Sequence, residues 1–494
     1  MSGVGLAGLS STTASAATDI TVLTGATLID GTGTPARRDT TIVLSGDRII
    51  WTGQHIPKFD GVHVIDLRGK YVIPGLWDMH THIANDTVMS IPLCIANGVT
   101  SVREMWGFPF IHEVRGRIDR GEILGPRFTI ASGLIDGADS ARAPASIVVT
   151  TAAEARVTVR QEKSGGADFI KVYPYLARDS FLALVDEAKE VGLKVCGHAP
   201  ARLSMREVSE AGFHSVEHLY NMSMAVSSRE AEFLKELRET PVDPQFPFGY
   251  LLRMLELDMT ASLTYNRSKA LSLYERFARN RTWQSPTLSV VRMYSSPAGT
   301  FANDPRLKYI HPSTRTIWAA QMAGAAPTTP EEIAKHKAHI EFRFRLVGEM
   351  ERAGVPIIGG TDVNNPYVIP GFAAHDELEL LVRAGLAPMR ALQTMTRDAA
   401  EFLGLARTMG TVSAGKVADL VVLERNPLTD IRNTQTIHSI ITRGKVITPE
   451  QRAKILADVE AAAGTSAPPA VQPACGCHSY SPVLPSANSR AMSR

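Results

Sequence analysis

Short runs of β-branched and aromatic residues mark both ends of the chain. The N-terminal runs are separated by turn dipeptides such as Asp30-Gly31, and this pattern predicts a small antiparallel sheet. Similar runs return near the C-terminus. Together they predict one composite β-sandwich domain, formed by residues 19–72 plus 408–450. The runs are 20–23, 41–44, 48–51 and 63–65 at the start, and 419–423, 437–441 and 443–447 at the end.

Between these two groups, apolar strand-like runs alternate with amphipathic helical stretches. Such alternation predicts parallel strands joined by right-handed crossovers, and eight units are the number that closes a (β/α)8 barrel. The predicted fold class is therefore α/β: a TIM-type barrel over residues 73–407 with the small composite β-sandwich beside it. The eight predicted strands are 71–78, 98–104, 127–133, 167–173, 193–198, 213–218, 283–291 and 355–362.

Helix boundaries and irregular stretches refine this arrangement. We predict one helix over 180–191 with Asp179 as its N-cap, and another over 204–211 that Gly212 ends. The stretch 223–280 is too long for an ordinary connection and predicts a helical insertion; it and residues 295–352 are both candidates for a lid over the barrel mouth. Residues 1–18 and 464–494 lack hydrophobic periodicity and are predicted to be flexible.

Composition and charge exclude several classes of protein. Of 494 residues, 44% are hydrophobic and 21% charged, and 52 basic side chains against 50 acidic ones leave a net charge of +2. This balance favours neither nucleic acid nor an anionic membrane as a partner. The four cysteines do not form a disulfide framework, and no apolar run has the length of a spanning helix. We expect a cytoplasmic protein, because the N-terminus has no basic residue before Arg37 and so lacks the charged start of an export signal. Export is the alternative, because the N-terminal residues are small and apolar.

The strongest chemical signal is the pair of histidines at the end of the first barrel strand. His80 and His82 are two positions apart, so both imidazoles point to the same face and can converge on one ion. Four further residues of metal-ligand type end other predicted strands, on the face where barrel active sites lie. Singly, each would be an ordinary buried or surface residue; together they predict one site. They are Lys171, His198, His218 and Asp362.

The motifs around these residues resemble the amidohydrolase superfamily, in particular its binuclear branch of prolidase-like and imidazolonepropionase-related enzymes. The resemblance extends from about residue 20 to 450 and rests on VIPGLWDMHTH, GADFIKVY, GHAP, SVEHL, GGTD and GTVSAGKVADLVVLERNPLTDI. It implies two divalent metal ions, expected to be Zn²⁺. His80, His82 and Asp362 would bind the more buried ion, and His198 and His218 the second. Lys171, carboxylated by CO2, would bridge both.

The resemblance also implies a reaction. A hydroxide held between two metal ions would attack an amide carbonyl, and Asp362 would move the proton to the leaving group. A dipeptide or an N-acyl amino acid is the expected substrate. A lactone, an ester or a phosphotriester is the alternative on the same site, because only the electrophile differs. An inactive scaffold is the least favoured alternative, since a scaffold has no need of the whole ligand set.

Three further residues are candidates for substrate binding. Tyr173 could donate a hydrogen bond to the substrate, with packing as its alternative role. Arg103 could hold a substrate carboxylate, but an internal pair with an Asp or Glu is the favoured use. His375 could equally contact the substrate, support a neighbouring group or cap a helix. A small-molecule substrate is the expected partner, and self-association into a homo-oligomer stays open. The CGCH sequence at 475–478 lacks the second half of a closed zinc site.

Overall fold

Two separate sheets form the framework of the protein. The structure, a computed structural model, describes residues 20–54, 62–140 and 146–465. Within these ranges the strands are β1 (Ile20–Leu28), β2 (Arg37–Ser45), β3 (Arg48–Gly53), β4 (His63–Asp66), β5 (Tyr71–Pro74), β6 (Leu76–Thr81), β7 (Val99–Glu104), β8 (Arg127–Asp136), β9 (Ile147–Val148), β10 (Phe169–Val172), β11 (Lys194–Gly197), β12 (Ser215–Glu217), β13 (Trp283–Ser285), β14 (Leu420–Leu423), β15 (Ile437–Thr442) and β16 (Lys445–Ile447).

Helices connect most of the strands. They are α1 (Ser90–Ala96), α2 (Pro109–Asp119), α3 (Ala152–Ser164), α4 (Arg178–Glu190), α5 (Met205–Ala211), α6 (Met222–Ala225), α7 (Glu230–Glu239), α8 (Phe248–Ala261), α9 (Arg267–Asn280), α10 (Leu288–Tyr294), α11 (Pro312–Ala325), α12 (Pro330–Arg352), α13 (Phe372–Arg383), α14 (Pro388–Thr394), α15 (Arg397–Phe402) and α16 (Pro449–Thr465), with short 3-10 helices at Ser262–Thr264, Pro305–Tyr309 and Ile431–Gln435. None of the helices in the described ranges combines the length and the apolar character that a bilayer crossing requires.

The first sheet is built from both ends of the chain, as predicted. Its strand order is β16-β15-β14-β5-β1-β2-β3, with β4 also paired to β1. The prediction of a purely antiparallel sheet was wrong, because β1 pairs in parallel with both β4 and β5. Strand β4, the next strand along the chain after β3, pairs with residues 21–24 in the first half of β1. Apolar residues from both termini, including Leu23, Ile42, Val72 and Leu420, form one core on this sheet.

The second sheet is a parallel, nearly closed barrel. Its strand order is β6-β7-β8-β10-β11-β12-β13, with the short β9 beside β8. The segment 356–363 closes it between β13 and β6 through single bridges and hydrogen bonds, for example from the amide of Asp362 to the carbonyl of His80 at 2.9 Å. This confirms the TIM-type barrel. The eighth predicted strand, 355–362, lacks the continuous ladder of a strand and pairs only through isolated bridges, and at its end Asp362 adopts a left-handed backbone with φ 60°.

Two predicted strands have different limits in the structure. The segment 71–78 is not one strand: β5 belongs to the small sheet and β6 to the barrel, with Gly75 between them. A Cβ on Gly75 would lie 2.2 Å from Thr100 Oγ1, so only glycine fits at this crossing. The predicted strand 283–291 ends at Ser285. Helix α10 begins soon afterwards because the carboxylate of Glu377 accepts hydrogen bonds from the first two amides of that helix, at 2.8 and 2.7 Å.

The two predicted helix boundaries have opposite outcomes. Helix α5 begins after Ser204, whose side chain forms a capping box with Glu207, and it ends at Gly212 in the left-handed conformation as predicted. Asp179 is not the N-cap of α4, because the helix begins one residue earlier, at Arg178. The Asp179 carboxylate therefore lies in the first turn, where its negative charge interacts favourably with the positive end of the helix dipole.

The long segment between β12 and β13 is helical and contains α6 to α9. Aromatic side chains from the strand ends pack with α7 and α8 in one apolar cluster, which we call the mouth cluster. It covers the C-terminal ends of β7, β8, β10 and β12. Its large members are Trp106, Tyr173, Tyr220, Phe233, Phe248, Tyr250 and Met254. The segment 295–352 contributes α11 and α12. The predicted flexible segments 1–18 and 464–494 lie outside the described residues, apart from 464–465 at the end of α16.

Candidate metal centre

The C-terminal ends of the barrel strands bring the six predicted ligands to one end of the barrel. Each side chain is exposed to 2% or less. Parallel strands place their carboxyl ends at the same edge, so residues far apart in the sequence become neighbours. His80 lies in β6 and His82 just after it, Lys171 lies in β10, His198 follows β11, His218 follows β12, and Asp362 belongs to the segment that closes the barrel.

Three histidines surround the carboxylate of Asp362. His80 Nε2 lies 3.4 Å and His82 Nε2 lies 3.3 Å from Asp362 Oδ1. On the other side, His218 Nδ1 lies 3.8 Å from Asp362 Oδ2. One ligand atom each from His80, His218 and Asp362 lies within 4.8 Å of the others, which is close enough for a shared cation.

His198 and Lys171 extend this cluster along the neighbouring strands. The His198 ring centroid lies 4.8 Å from that of His218, and the His198 ring stacks on Tyr173 at 4.3 Å. Lys171 Nζ lies 5.6 Å from the centroid of the Tyr173 ring. Burial, partly offset by the charges of Glu217 and Asp362, lowers the pKa of the Lys171 amine to about 8. At this pKa about a tenth of the amine is uncharged at pH 7, far more than for an ordinary lysine.

The donor atoms of this cluster fit a metal ion. Several of them, though buried, have no hydrogen-bond partner among the described residues, and such atoms are costly unless something else satisfies them. Imidazole nitrogens and carboxylate oxygens are the donors that divalent transition metals prefer. Burial also lowers the pKa of His80 well below its ordinary value, which keeps the ring in the neutral form that coordinates. The unsatisfied atoms are His80 Nε2, both ring nitrogens of His82, Lys171 Nζ and both carboxylate oxygens of Asp362.

Glu217 supports the cluster from below, and the sequence analysis did not identify it. Its Oε2 lies 2.9 Å from His80 Nδ1, and its two oxygens accept hydrogen bonds from Arg103 Nη2 at 2.9 and 3.0 Å. The available signal was a carboxylate inside the apolar strand β12, directly before His218.

Arg103 forms an internal ion pair, the use that the sequence analysis favoured over holding a substrate carboxylate. The side chain is completely buried, and its three nitrogens donate to the carbonyl of Met79, to Ser215 and to Glu217. Strand β7 directs this side chain into the barrel interior.

His375 has the contacts of a supporting group, one of the roles that the sequence left open. The ring is buried on α13, with Nδ1 3.0 Å from Thr434 Oγ1 and Nε2 3.1 Å from the carbonyl oxygen of Asn97. The two ring nitrogens therefore link α13 to the 3-10 helix at Ile431–Gln435 and to the end of α1. Tyr173, by contrast, lies beside His198, and its role in substrate binding stays a prediction.

The backbone at two of the ligands is in an uncommon conformation. His218 has φ 62° and Asp362 has φ 60°, although neither is glycine. Such left-handed residues persist where the surroundings hold them, and they cluster at functional sites. Around His218 the holding contacts are Thr287 Oγ1, 2.7 Å from the ring Nδ1, and Arg343 Nη1, which donates to the His218 carbonyl at 3.0 Å.

A cavity of about 530 Å³ lies between α8, α10, α11 and α12. Two of its wall residues connect it to the ligands. Arg343 donates to the carbonyl of His218, while the hydroxyl of Tyr294 donates to Asn365, whose side chain donates to the carbonyl of Asp362. The apolar part of the wall consists of Leu252, Leu255, Met259, Val291, Ala325, Ala326 and Pro327.

Comparison with known proteins places this site in a family. The amidohydrolase family matches residues 71–242 and 307–447. Ochratoxinase from Aspergillus niger is 22% identical over 482 residues, covering 84% of this chain and 83% of ochratoxinase.

Two solved structures share the fold. A bottromycin amidohydrolase has a TM-score of 0.71 at 23% identity and covers 90% of both chains. A Xaa-Pro dipeptidase with bound methionine in its active site has a TM-score of 0.63 at 21% identity, covering 87% of this chain and 100% of the dipeptidase. The family match extends over more than half of the chain and includes five of the six predicted ligands in its first segment and the sixth in its second. The chain belongs to the amidohydrolase family.

Proposed function

We propose that the protein is a metal-dependent hydrolase that cleaves an amide bond, with a dipeptide or an N-acyl amino acid as its substrate. One observation carries this proposal: His80, His82, His218 and Asp362 converge in a buried cluster that also includes a lysine with a lowered pKa. A purely structural cluster would not leave so many buried donors unsatisfied.

The ligands divide into two groups. His80, His82 and Asp362 would hold one divalent ion, expected to be Zn²⁺, while His198 and His218 would hold a second. Lys171 stands on β10, between β8 and β11, and would bridge the two ions after reaction with CO2. When bound, the two ions lower the pKa of water and polarise the scissile carbonyl group.

The environment of Lys171 favours carbamate formation. The uncharged amine forms a bond to the carbon of CO2, one C=O electron pair moves to oxygen, and the amine releases a proton to solvent. This step needs a free amine, and burial supplies one by lowering the pKa to about 8. The product has the geometry of a carboxylate and a negative charge suited to two cations.

Asp362 is the group that would move the proton. Its two carboxylate oxygens are buried and face the histidine cluster, so an oxygen of Asp362 can accept a proton from the attacking water. The same oxygen can then deliver this proton to the leaving nitrogen, which an amine needs to depart. Tyr173, whose ring stacks on that of His198, would donate a hydrogen bond to the substrate.

The relatives and the cavity support an amide substrate with an apolar part. The bottromycin amidohydrolase and the Xaa-Pro dipeptidase bear names that point to amide and dipeptide bonds. The cavity of about 530 Å³ has an apolar wall that would receive a hydrophobic acyl group or side chain.

A substrate panel tests the proposal. The zinc-loaded protein and its Asp362→Asn variant are assayed against dipeptides, N-acyl amino acids, lactones, esters and phosphotriesters. We expect hydrolysis of amides by the first protein and loss of at least about 10³-fold in kcat in the variant. Turnover confined to lactones, esters or phosphotriesters would replace the amide assignment with the alternative. An Asp362→Asn variant with full activity would contradict the proton-transfer role.

A further inference from the structure

A buried chain of charges underlies the candidate metal centre. It begins at Arg103, passes through the carboxylate of Glu217 and ends at the ring of His80. All three side chains are completely buried. The Glu217 carboxylate joins the other two, because its Oε2 is 2.9 Å from His80 Nδ1 and 3.0 Å from Arg103 Nη2.

From this geometry we propose that Glu217 is a positioning residue that fixes the tautomer and orientation of His80 for metal binding. The proposal rests on the metal-dependent function proposed above. The Glu217 carboxylate accepts hydrogen bonds from Arg103 through both oxygens, and it also acts as the acceptor towards His80, so the proton of the neutral His80 ring is held at Nδ1. The other nitrogen, Nε2, is then left with its lone pair, and it is the nitrogen that faces Asp362 at 3.4 Å.

Arg103 holds the Glu217 carboxylate in its orientation towards His80 by donating to both of its oxygens. Its guanidinium lies between the rings of Phe169 and Phe402, with its carbon 5.6 and 5.1 Å from the two centroids. From that position it also donates through Nε to the carbonyl of Met79 at 2.6 Å. Met79 directly precedes His80, so one guanidinium anchors both the backbone next to His80 and the partner of the His80 ring.

The same arrangement has a defined chemical consequence. A carboxylate behind a coordinating histidine raises the basicity of the ring and restricts its rotation, and losing such a partner weakens metal binding roughly 10–100-fold. Ser215 contributes the remaining contact, since its hydroxyl also donates to Glu217 Oε1. Arg103 and Ser215 thereby hold the Glu217 carboxylate in place, and the histidine that it contacts is His80.

The test is Glu217→Gln, in the full-length protein, with Glu377→Gln as the matched control. Glu377 is also completely buried and also accepts hydrogen bonds from its neighbours, but those neighbours are the amides of Leu288 and Ser289 at the start of α10. Two readouts apply: the Zn²⁺ affinity from competition with a chromophoric chelator, and the visible spectrum of the Co²⁺-substituted protein. Neither readout requires turnover.

We expect Glu217→Gln to lose roughly 10–100-fold in Zn²⁺ affinity and to change the Co²⁺ spectrum, while Glu377→Gln retains both. An unchanged affinity and spectrum in Glu217→Gln, or equal losses in the two variants, would overturn the proposal. If Arg103, left without its charged partner, prevents Glu217→Gln from folding, the double variant Arg103→Met/Glu217→Gln removes that charge and must still show the weakened affinity. A wild-type protein that binds no metal would refute the proposed function instead, so the two failures are distinct.

Discussion

Arg343 donates a hydrogen bond from Nη1 to the carbonyl oxygen of His218 at 3.0 Å. Arg343 lies on α12 and is only 4% exposed, and its Nη2 donates to Asp258 on α8 at 3.2 Å. A candidate metal ligand with a left-handed backbone is thus connected to two helices outside the barrel. Strand β12 ends at Glu217, so its ladder does not fix the backbone of His218. The contacts with the two helices supply the support that a rigidly placed metal ligand requires.

Substituting Asp258 tests this connection. In Asp258→Asn the guanidinium of Arg343 remains buried without its charged partner, and we expect the free energy of unfolding to fall by about 3–5 kcal/mol. Denaturant unfolding measures this loss. Glu256→Gln is the control on the same helix: its pair with Arg253 lies at the surface, where a salt bridge contributes about 1 kcal/mol or less. Equal losses in both variants would contradict a special role for the buried pair.

The contribution of Asp258 should depend on pH in one direction. Burial raises the pKa of this carboxyl, but the hydrogen bond with His339 and the charge of Arg343 outweigh burial, so the pKa in the folded state is below the ordinary value of 3.8. A depressed pKa means that the stabilisation is present above the unfolded-state value and is lost as the pH falls through the folded-state value. The difference between wild type and Asp258→Asn should therefore be constant from about pH 7 to 8, where His339 is neutral because burial lowers its pKa, and should shrink below about pH 4. A difference that varies between about pH 7 and 8 would count against this assignment.

The sequence predicted the barrel and the ligand set because both depend on local patterns. Strand runs repeat at regular intervals, and His80, His82 and Asp362 stand at the ends of such runs. The sequence analysis did not identify the supports. Glu217 and His80 are 137 residues apart, and Arg343 and His218 are 125 residues apart. Only the closed barrel brings such pairs together. An internal pair was favoured for Arg103, but its partner Glu217 was not identified, because the two are 114 residues apart.

The segment 356–363, which closes the barrel, approaches His80 so closely that Gly360 has no room for a side chain. A Cβ at Gly360 would lie 2.8 Å from both the Cβ and the amide nitrogen of His80, which are atoms that cannot move without displacing the ring. We expect Gly360→Ala to lower the free energy of unfolding by about 1–3 kcal/mol and to weaken Zn²⁺ binding. Thermal unfolding and chelator competition measure the two effects. Gly464→Ala on α16, where a Cβ meets nothing within 4 Å, should change neither; retained metal affinity in Gly360→Ala would contradict the steric argument.

Lys171 should control metal stoichiometry. Without its amine no carbamate can form, so Lys171→Ala should lose the second ion, and short carboxylates such as acetate or propionate should partly restore it by occupying the same space. Metal analysis of the purified protein gives the result. Lys194→Ala is the control, because Lys194 begins the adjacent strand β11 at the opposite end of the barrel. Retention of both ions by Lys171→Ala would exclude the bridging role.

The cavity beside Tyr294 and Arg343 should set the preference for the apolar part of the substrate. Met259 on α8 lines this cavity, and Met259→Trp would fill part of its volume of about 530 Å³. We expect KM to rise by about 10-fold for amides with a bulky apolar group and to change little for small ones, while kcat is retained, because the substitution affects binding and not the reacting groups. The comparison of the two substrate sizes in steady-state assays checks this. Leu263→Trp, at a side chain that is 80% exposed on the same insertion, should leave both substrates unaffected. An equal loss for small and large substrates would place the substrate elsewhere in the barrel mouth.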